Sequence, residues 1–494
     1  MNLRTGAIAT LLGLLLATPV LAQNDSDAMP LSTTSPRVHQ LLQQAWDLGL
    51  DQVEQAKQTE VLRQVVKIDP KFAMGHELLA QSSLDPAEQV REQRKAFNLR
   101  KNATPAEQLL IEWYQDACDH KLISAITKMN GVLGQYPHDR WVVYMTNLWL
   151  TTQTQYERAT AVYERSGITN SPGLMNNVAY DYAYMRQFEK AFALMDQYIA
   201  ALPHDANPQD SYAEILRMAG HFDQAIEHYH AALAINPNFY SSQFGIADTY
   251  SLMGNQKRAR HEYSIAFKKF PLPELHSVQW QTRAATTYVR EGDIKKANQA
   301  FQAIADNAHS RHLSQIEADT YRQMAIYQPD PTTGLALLNK AEAAIQEGDN
   351  AMPAAIQQEL AQISRARVEL AIKTGDAKTA QRLVEQLSKM ADSSSDKLIE
   401  TSYHGAAGAW YVSTHQYKQA ISELDEDINN PFSLELLAVS YQQTGDVASA
   451  KQITDTLANT NDPTLEQALI VPAFRKCYQD PNCSSNLKNA SFMH

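Results

Sequence analysis

A set of small, aromatic and proline residues returns along this chain at a fixed interval of 34 residues. Five residue identities match at that single displacement, which chance alone would rarely produce. The matched residues are Gly220, Ala225, Tyr229, Ala232 and Pro237 in one copy and Gly254, Ala259, Tyr263, Ala266 and Pro271 in the next. An interval of this length predicts an array of stacked units, because each unit is too small to bury its apolar face alone.

The residue types at the repeated positions predict a pair of antiparallel helices in each unit. Alanine at a helix crossing lets two helices approach closely, and the aromatic side chains fill the space toward the next pair. Gly220 follows the first helix, where a left-handed backbone conformation favours glycine. Pro237 follows the second helix and stops it.

The pattern resembles the tetratricopeptide repeat, a helical hairpin with small, aromatic and proline residues at set positions. In the unit that begins at residue 206, the matching residues are Ala213, Phe222, Ala225, Tyr229, Ala232 and Pro237. Leu216 stands where the family has an aromatic residue, and in the preceding unit, from residue 172, Tyr198 stands where it has a small one. The resemblance implies an all-α fold, a solenoid of helical hairpins wound as a right-handed superhelix.

Weaker copies on both sides of these units divide the chain into regions. Residues 140–310 are expected to be tetratricopeptide repeats, and residues 311–461 further helical repeats of the same type, on residues such as Tyr441 and Gly445. Residues 37–139 are predicted to be degenerate helical repeats in which the interval is blurred. Residues 462–494 are expected to form a C-terminal cap or tail, because a terminal unit needs a polar outer face.

The first residues have the pattern of a secretory signal peptide. Arg4 supplies a positive charge, residues 7–16 an apolar core, and residues 20–22 a cleavage site. An uncleaved membrane anchor is the alternative, but the apolar run is shorter than the roughly 20 residues that a span needs. We therefore expect a signal peptide at 1–22 and a disordered leader at 23–36. The chain would be exported, periplasmic or secreted, with membrane contact only through the transient signal peptide.

Charge and cysteine content limit the partners. The formal net charge is -12, and no Lys/Arg block of the kind that follows a phosphate backbone is present, so nucleic acid is not expected. Cys477 and Cys483 flank a turn at Pro481 and could close a small disulfide loop in an exported chain. A metal site at these cysteines would need two further ligands.

Motifs of catalysis and metal binding are absent from the sequence. There is no HExxH, GxSxG, GxGxxG or CxxC pattern and no phosphate-binding loop. His228 and His230 are two residues apart on a predicted helix and so face different directions, while His309 and His312 have no evident acidic partner. The chain is therefore expected to be neither an enzyme nor a binder of a metal or cofactor.

The family resemblance also implies where a partner would bind. In tetratricopeptide domains the first helix of each hairpin lines a concave groove that receives a peptide or protein segment. The residues at the corresponding positions are Trp141, Tyr144, Asn176, Tyr180, Tyr184, Asp210, Glu214, Arg217 and Asp248. Tyr180 and Tyr184 could instead pack against neighbouring helices. The leading interpretation is a protein-binding scaffold or adaptor in the cell envelope.

Two other functions stay open from the sequence. An enzyme or enzyme subunit could have an unrecognised site within 37–136, where Cys118 and His120 lie close together. A carrier of glycans or small ligands could use aromatic side chains in the superhelix as stacking platforms.

Overall fold

The computed structural model describes residues 28–51, 54–119, 121–270, 274–348, 351–394 and 396–479. These residues form 25 α-helices and no β-strand, so the expected all-α class is confirmed. Consecutive helices pack in pairs, which gives twelve helical hairpins and one last helix in the described chain. The expected signal peptide at 1–22 lies outside the described residues.

The helices have the following bounds. The first six hairpins are formed by α1 Pro36–Trp46, α2 Gln55–Ile68, α3 Ala73–Ser82, α4 Pro86–Leu99, α5 Pro105–Cys118, α6 Leu122–Gln135, α7 Arg140–Thr152, α8 Tyr156–Ser166, α9 Pro172–Tyr184, α10 Phe188–Ala201, α11 Asn207–Ala219 and α12 Phe222–Ile235. The rest of the chain forms α13 Tyr240–Leu252, α14 Gln256–Lys269, α15 Glu274–Arg290, α16 Ile294–Ser310, α17 Ser314–Ile326, α18 Pro331–Glu347, α19 Pro353–Lys373, α20 Ala377–Ser394, α21 Lys397–Ser413, α22 Tyr417–Leu424, α23 Pro431–Thr444, α24 Val447–Ala458 and α25 Leu465–Gln479.

The ends of the helices follow from local sequence. α5 begins with a capping box, in which the Glu107 N–H donates to Thr104 Oγ1 at 3.2 Å and the Glu107 carboxylate accepts from the Thr104 N–H at 2.8 Å. Gly220 and Gly254 have φ angles of +87° and +86° just after α11 and α13, so the predicted left-handed glycine ends are confirmed. Pro237 lies two residues beyond the end of α12, as predicted.

The repeated alanine and tyrosine residues make the contacts between helices. Ala225 and Ala259 are fully buried at the helix crossings, and Tyr229 and Tyr263 are among the largest side chains removed from solvent. A close approach lies at Gly245, where an added Cβ would lie 2.3 Å from the Tyr229 ring. The small and aromatic residues therefore have the packing roles that the sequence predicts.

Helix length explains why the interval is clear in only part of the chain. The first helices α7, α9, α11, α13 and α15 begin 32 to 35 residues apart. Several later helices are longer, up to the 21 residues of α19, so α17, α19 and α21 begin 39 to 44 residues after the preceding first helix. Extra turns of helix displace the next copy along the sequence, while the hairpin itself is retained.

The first helices of successive hairpins form one inner layer. α7, α9, α11, α13 and α15 contact one another in that order, and α17, α19, α21 and α23 do the same further along the chain. The superhelix then meets itself, because α5 contacts α19 seven hairpins later. The inner layer therefore surrounds a central space.

Both ends of the described chain turn back onto the array. Residues 28–36 are the described part of the expected leader; Pro36 begins α1, and the Met29 N–H donates to the Asp139 carboxylate at 2.8 Å. α25 belongs to the region expected to be a cap or tail, and it packs against α15 as well as α23 and α24. Residues 480–494 of that region lie outside the described chain.

Candidate functional site

A network of charged and tyrosine side chains crosses the inner layer from α9 to α15. We name it the inner charge network, and its members are Tyr180, Glu214, Arg217, Asp248 and Arg283. The Tyr180 hydroxyl donates to Glu214 Oε2 at 2.8 Å, and Arg217 Nη2 lies 2.6 Å from Glu214 Oε1. Asp248 Oδ2 lies 3.3 Å from Arg217 Nη1 and 2.5 Å from Arg283 Nη1. The network therefore links the first helices of four hairpins.

The repeat itself brings these side chains together. Tyr180, Glu214 and Asp248 are 34 residues apart and occupy the same place on successive first helices. Arg283 follows Asp248 by 35 residues and reaches it across one helix boundary. Because equivalent positions of stacked hairpins are neighbours, these four side chains form a row, and Arg217 bridges the two acceptors Glu214 and Asp248.

Burial makes the charges in this row depend on one another. Arg217 is 2% exposed, and Asp248 is 0% exposed. Burial alone would raise the pKa of Glu214, but Arg217 and Arg283 outweigh burial and hold that pKa below its usual value. Burial alone would lower the pKa of Arg217, but Tyr229 and the neighbouring carboxylates raise it well above its usual value. Loss of one charge would leave another buried without compensation.

A non-helical stretch of the chain, residues 459–464, lies across the inner layer, and we name it the groove segment. Asn461 Nδ2 donates to the Met218 backbone oxygen at 3.2 Å, and Arg186 donates to the Asn459 backbone oxygen at 3.5 Å. Burial raises the pKa of the Asp462 carboxyl, and nearby Arg217 opposes that shift. The groove segment therefore covers part of the groove that the family resemblance implies.

Side chains beyond the inner layer hold the groove segment from its other side. Arg475 of α25 donates to the Thr460 backbone oxygen at 3.2 Å and also to Asn461 Oδ1. Gln467 Nε2 donates to the same Thr460 oxygen at 3.1 Å, and Gln467 Oε1 accepts from Arg290 of α15. Two side chains of α25 thus satisfy a backbone oxygen that has no hydrogen bond within a helix.

Residues 46–51 cover the inner layer near α7 and α9. Trp46 stacks on Trp141 with ring centres 6.2 Å apart. Tyr198, which departs from the small-residue pattern of the family, donates its hydroxyl to the Asp51 backbone oxygen at 2.9 Å. The larger side chain at this position thus fastens the N-terminal part of the chain to α10.

Four of the nine predicted groove residues meet in the inner charge network: Tyr180, Glu214, Arg217 and Asp248. Tyr184 lies beside it, with its ring 6.4 Å from the Tyr180 ring. Tyr184 is 40% exposed and also stacks on Tyr156 of α8 at 5.0 Å. Both tyrosines therefore make the packing contacts that the alternative interpretation requires.

The remaining four predicted groove residues lie at the N-terminal ends of the same first helices. Trp141 and Asn176 are buried, and Tyr144 is half-buried. Asp210 accepts a hydrogen bond from Ser242 Oγ at 2.6 Å, and burial raises the pKa of Asp210 to about 7. A role in partner binding stays a prediction for all nine residues.

Sequence reasoning missed the side chains that complete this site. Arg283 lies in a weaker copy of the repeat, and its 35-residue offset removes it from the row that a strict interval identifies. Arg186 is in a turn between two helices, and Asn461 and Asp462 come from a part of the chain without a repeat signal. Asn461 and Asp462 reach the inner layer only because the chain returns to α11 from 243 residues away.

Beyond Arg283 the inner layer continues around an open space of about 590 Å³. α15, α17 and α19 line this space together with Pro463 and Thr464 of the groove segment. Arg322 lines it as well and is ion-paired with Glu359 at 2.7 Å. Paired charges across helix boundaries are thus a property of the inner layer on both sides of the groove segment.

Other sites considered from the sequence lie elsewhere. Burial raises the pKa of the Cys118 thiol to about 12, which opposes the thiolate form, and His120 lies outside the described residues. Among the residues described, no group of three or more His, Cys, Asp or Glu side chains could hold a metal ion, and no helix could cross a membrane. Cys483 is not among the described residues, so its disulfide with Cys477 stays a prediction.

One unit of the repeat matches a known family model. Residues 209–239 match the family model of the tetratricopeptide repeat. These residues cover most of α11, all of α12 and therefore Glu214 and Arg217 of the inner charge network. No curated protein is similar to the chain in sequence.

Three solved structures align with much of the chain at low identity. The crystal structure of yeast Tom70 is 13% identical over 92% of this chain and 99% of its own, with a TM-score of 0.39. A monomeric IFIT1 mutant with m7Gppp-AAAA is 15% identical over 85% of this chain and 99% of its own, with a TM-score of 0.36. Naa15/Naa10 bound to HypK-THB is 15% identical over 78% of this chain and 65% of its own, with a TM-score of 0.24.

Proposed function

We propose that this chain, a helical-repeat protein of the tetratricopeptide type, is a scaffold that holds an extended segment of a partner protein in the groove of its inner layer. The observation that carries the proposal is the groove segment, residues 459–464. It is non-helical, and two successive hairpins contact it: Arg186 donates to the Asn459 backbone oxygen, and the Met218 backbone oxygen accepts from the Asn461 side chain. A segment of a partner with the same chemistry would find the same contacts.

The charges around Asp462 favour an acidic partner segment. Arg186, Arg217 and Arg283 all act on the Asp462 carboxylate. Glu214 and Asp248 are the other carboxylates in this group, so Asp462 balances the third guanidinium charge. Arg217 Nε also has no hydrogen-bond partner among the described residues, which leaves a donor for a closer carboxylate.

A partner has to displace the groove segment, which acts as an internal competitor. Covalent attachment gives the groove segment a high effective concentration at its site. A partner therefore needs further contacts, and the adjoining space lined by Arg322 and Glu359 offers them. We propose that a partner segment longer than residues 459–464 continues into that space.

The proposed setting is the cell envelope, with the chain as an exported adaptor. The signal-peptide pattern in residues 1–22 supports export. The net charge of -12 supports a protein partner over nucleic acid.

A peptide-binding experiment tests the proposal. The probe is a fluorescent peptide of residues 458–467, ANTNDPTLEQ, and its anisotropy is measured with the full chain. The double substitution Asn461→Ala and Asp462→Ala in the chain releases the groove segment, so this variant should bind the peptide at least about tenfold more tightly than the unaltered chain. A peptide with Lys in place of Asp462 should bind weakly to both.

A matched pair of arginine variants locates the binding. In the released variant, Arg283→Gln should weaken peptide binding at least about tenfold, because it removes a charge that faces Asp462. Arg258→Gln on α14 is the control, since Arg258 is exposed and pairs with Glu262 of its own helix. Equal binding of the acidic and the Lys-substituted peptides, or no binding to the released variant, would reject the groove as the site.

A further inference from the structure

A small cavity lies between α17, α19, α21 and α23, away from the inner charge network. Its volume is about 90 Å³, which is enough for several water molecules or one small organic molecule. Apolar side chains form most of the wall, including Ala325, Ile326, Ala366, Leu370, Phe432 and Leu436. Such a wall gives a ligand dispersion contacts and few hydrogen bonds.

Glu435 is the exception in this wall. Its side chain lines the cavity and is 3% exposed. In the described part of the chain, no group is hydrogen-bonded to or ion-paired with its carboxyl, and burial alone accounts for its perturbed titration. α23 holds Glu435 in place, because Asn430 caps this helix by accepting from the Phe432 N–H at 2.9 Å. A buried carboxyl without a partner costs free energy that a ligand can recover.

The other polar side chains of the wall are already engaged or face solvent. Glu369 accepts from Arg365 Nε at 3.1 Å, so its charge is compensated. Gln328 donates to Asn298 Oδ1 at 2.8 Å. Lys373 reaches the wall from an exposed position and does not affect the titration of Glu435. Glu435 is thus the uncompensated acidic group of the described cavity.

We propose that this cavity binds a small organic cation, a primary ammonium ion with a short apolar body, and that the Glu435 carboxylate is its counter-ion. The ammonium group donates to Glu435, and the apolar body contacts the aliphatic and aromatic wall. An anion would gain no counter-charge from Glu435 in either protonation state, and a divalent metal ion would need more oxygen ligands than one free carboxylate supplies. The site does not depend on the groove function proposed above.

A route to the cavity is present on the side of the central space. Ile326, Ala366, Glu369 and Phe432 line both the cavity and a neighbouring space of about 290 Å³ in the inner layer. Phe432 belongs to the wall that the two spaces share, so we expect motion of its side chain to connect them. A ligand therefore enters from the same central space that holds the groove segment.

Proton release accompanies binding. Burial raises the pKa of Glu435 to about 8, so its carboxyl is largely protonated near neutral pH. An ammonium ion binds to the ionised form, which expels the proton, so affinity increases with pH from about pH 6 to about pH 9. Glu369 and Lys373 are the other titratable side chains of the wall, and Arg365 lies next to Glu369.

Calorimetry with n-alkylammonium chlorides, from methyl to hexyl, tests the site on the full chain. The n-alkanols of the same lengths are neutral probes of matched shape. One ammonium ion should bind per chain, at least about tenfold more tightly than the matched alkanol. Titrations in buffers of different ionisation heat should show about one proton released per ammonium ion bound near neutral pH.

Three variants decide whether Glu435 and the cavity carry the binding. Glu435→Gln should weaken ammonium binding at least about tenfold, and Ala409→Leu should abolish it by filling the cavity, which Ala409 lines. Glu77→Gln is the matched control, because Glu77 is a buried carboxyl on α3, away from this cavity. No ammonium binding, equal binding of alkanols, or unchanged binding by Glu435→Gln overturns the proposal. If Glu435→Gln does not fold, retained binding by folded Ala409→Leu overturns it.

Discussion

The Asn461 side chain donates a hydrogen bond to the backbone oxygen of Met218, although 243 residues separate the two in sequence. The contact joins the groove segment to the C-terminal end of α11. The backbone there is closely approached, since a Cβ added at Gly220 would lie 3.2 Å from Asn461 Nδ2. A short segment near the end of the chain is thus bound where the tetratricopeptide repeat is clearest.

Asn461→Ala should loosen the groove segment while the hairpins stay folded. The change removes the donor to Met218, so the backbone amides of residues 460–462 and 464 should exchange with deuterium faster, as measured by mass spectrometry. Asn459→Ala is the control, because Asn459 is exposed and its side chain donates only to Asp455 of α24 among the described residues. Equal exchange in both variants would show that the Asn461–Met218 bond does not hold the segment.

Arg217→Ala should destabilise the array strongly. Without Arg217, Asp248 keeps only Arg283 as a cationic partner in a fully buried place, and such a loss costs about 3–5 kcal/mol of unfolding free energy. Urea denaturation followed by circular dichroism measures it. Arg258→Ala should cost less than about 1 kcal/mol, because the Arg258–Glu262 pair is exposed on the arginine side. A small effect at Arg217 would mean that the inner charge network does not stabilise the fold.

Two glycine-to-alanine changes should have opposite signs. Gly245→Ala places a Cβ 2.3 Å from the buried Tyr229 ring and should lower the unfolding free energy by about 1–3 kcal/mol. Gly131→Ala lies within α6, where the nearest atom to the new Cβ is a Leu109 methyl at 3.9 Å, and should raise the unfolding free energy by about 0.5–1 kcal/mol. Thermal melting of both variants checks the pair, and destabilisation by both would contradict the packing account.

Glu77→Gln should remove part of the pH dependence of stability. Burial raises the pKa of Glu77 to about 8, from 4.5 in an exposed site, although Gln81 donates to it at 3.0 Å. Between these pH values the native chain binds more protons than the unfolded chain, so unfolding free energy falls as pH rises and levels off above pH 8.

Urea midpoints of the two proteins test this window. The unfolding free energy of Glu77→Gln minus that of the unaltered chain should rise by about 2–5 kcal/mol as the pH is raised from 4.5 to about 8. Gln81→Ala is a useful companion, since it keeps the buried carboxyl and should keep the fall with pH. Parallel pH profiles for Glu77→Gln and the unaltered chain would contradict the buried titration.

Local chemistry made the hairpins predictable from the sequence. Ala225, Tyr229 and Pro237 each have a role within one unit or between adjacent units, so their interval identifies the packing. The interval was less informative beyond α16, because longer helices such as α19 change the spacing without changing the hairpin. Periodicity thus detects units of equal length more readily than units of equal shape.

The candidate site was predictable only in part. A strict interval places Glu214 and Asp248 in one row, and the structure joins them through Arg217. The position of the groove segment over that row depends on closure of the superhelix, which brings residues 459–464 to α11. No local pattern contains that information, since the contact arises from the accumulated rotation of many hairpins.

The contact between α5 and α19 changes how the array should respond to a pulling force. In an open solenoid each unit touches only its neighbours, so a pull on the two ends lengthens the molecule gradually. Here the contact links two hairpins that are seven units apart, and the packing of α25 on α15 adds a second such link, so we expect extension to require that these contacts break first. The fold therefore predicts a resistance to extension that an open solenoid lacks.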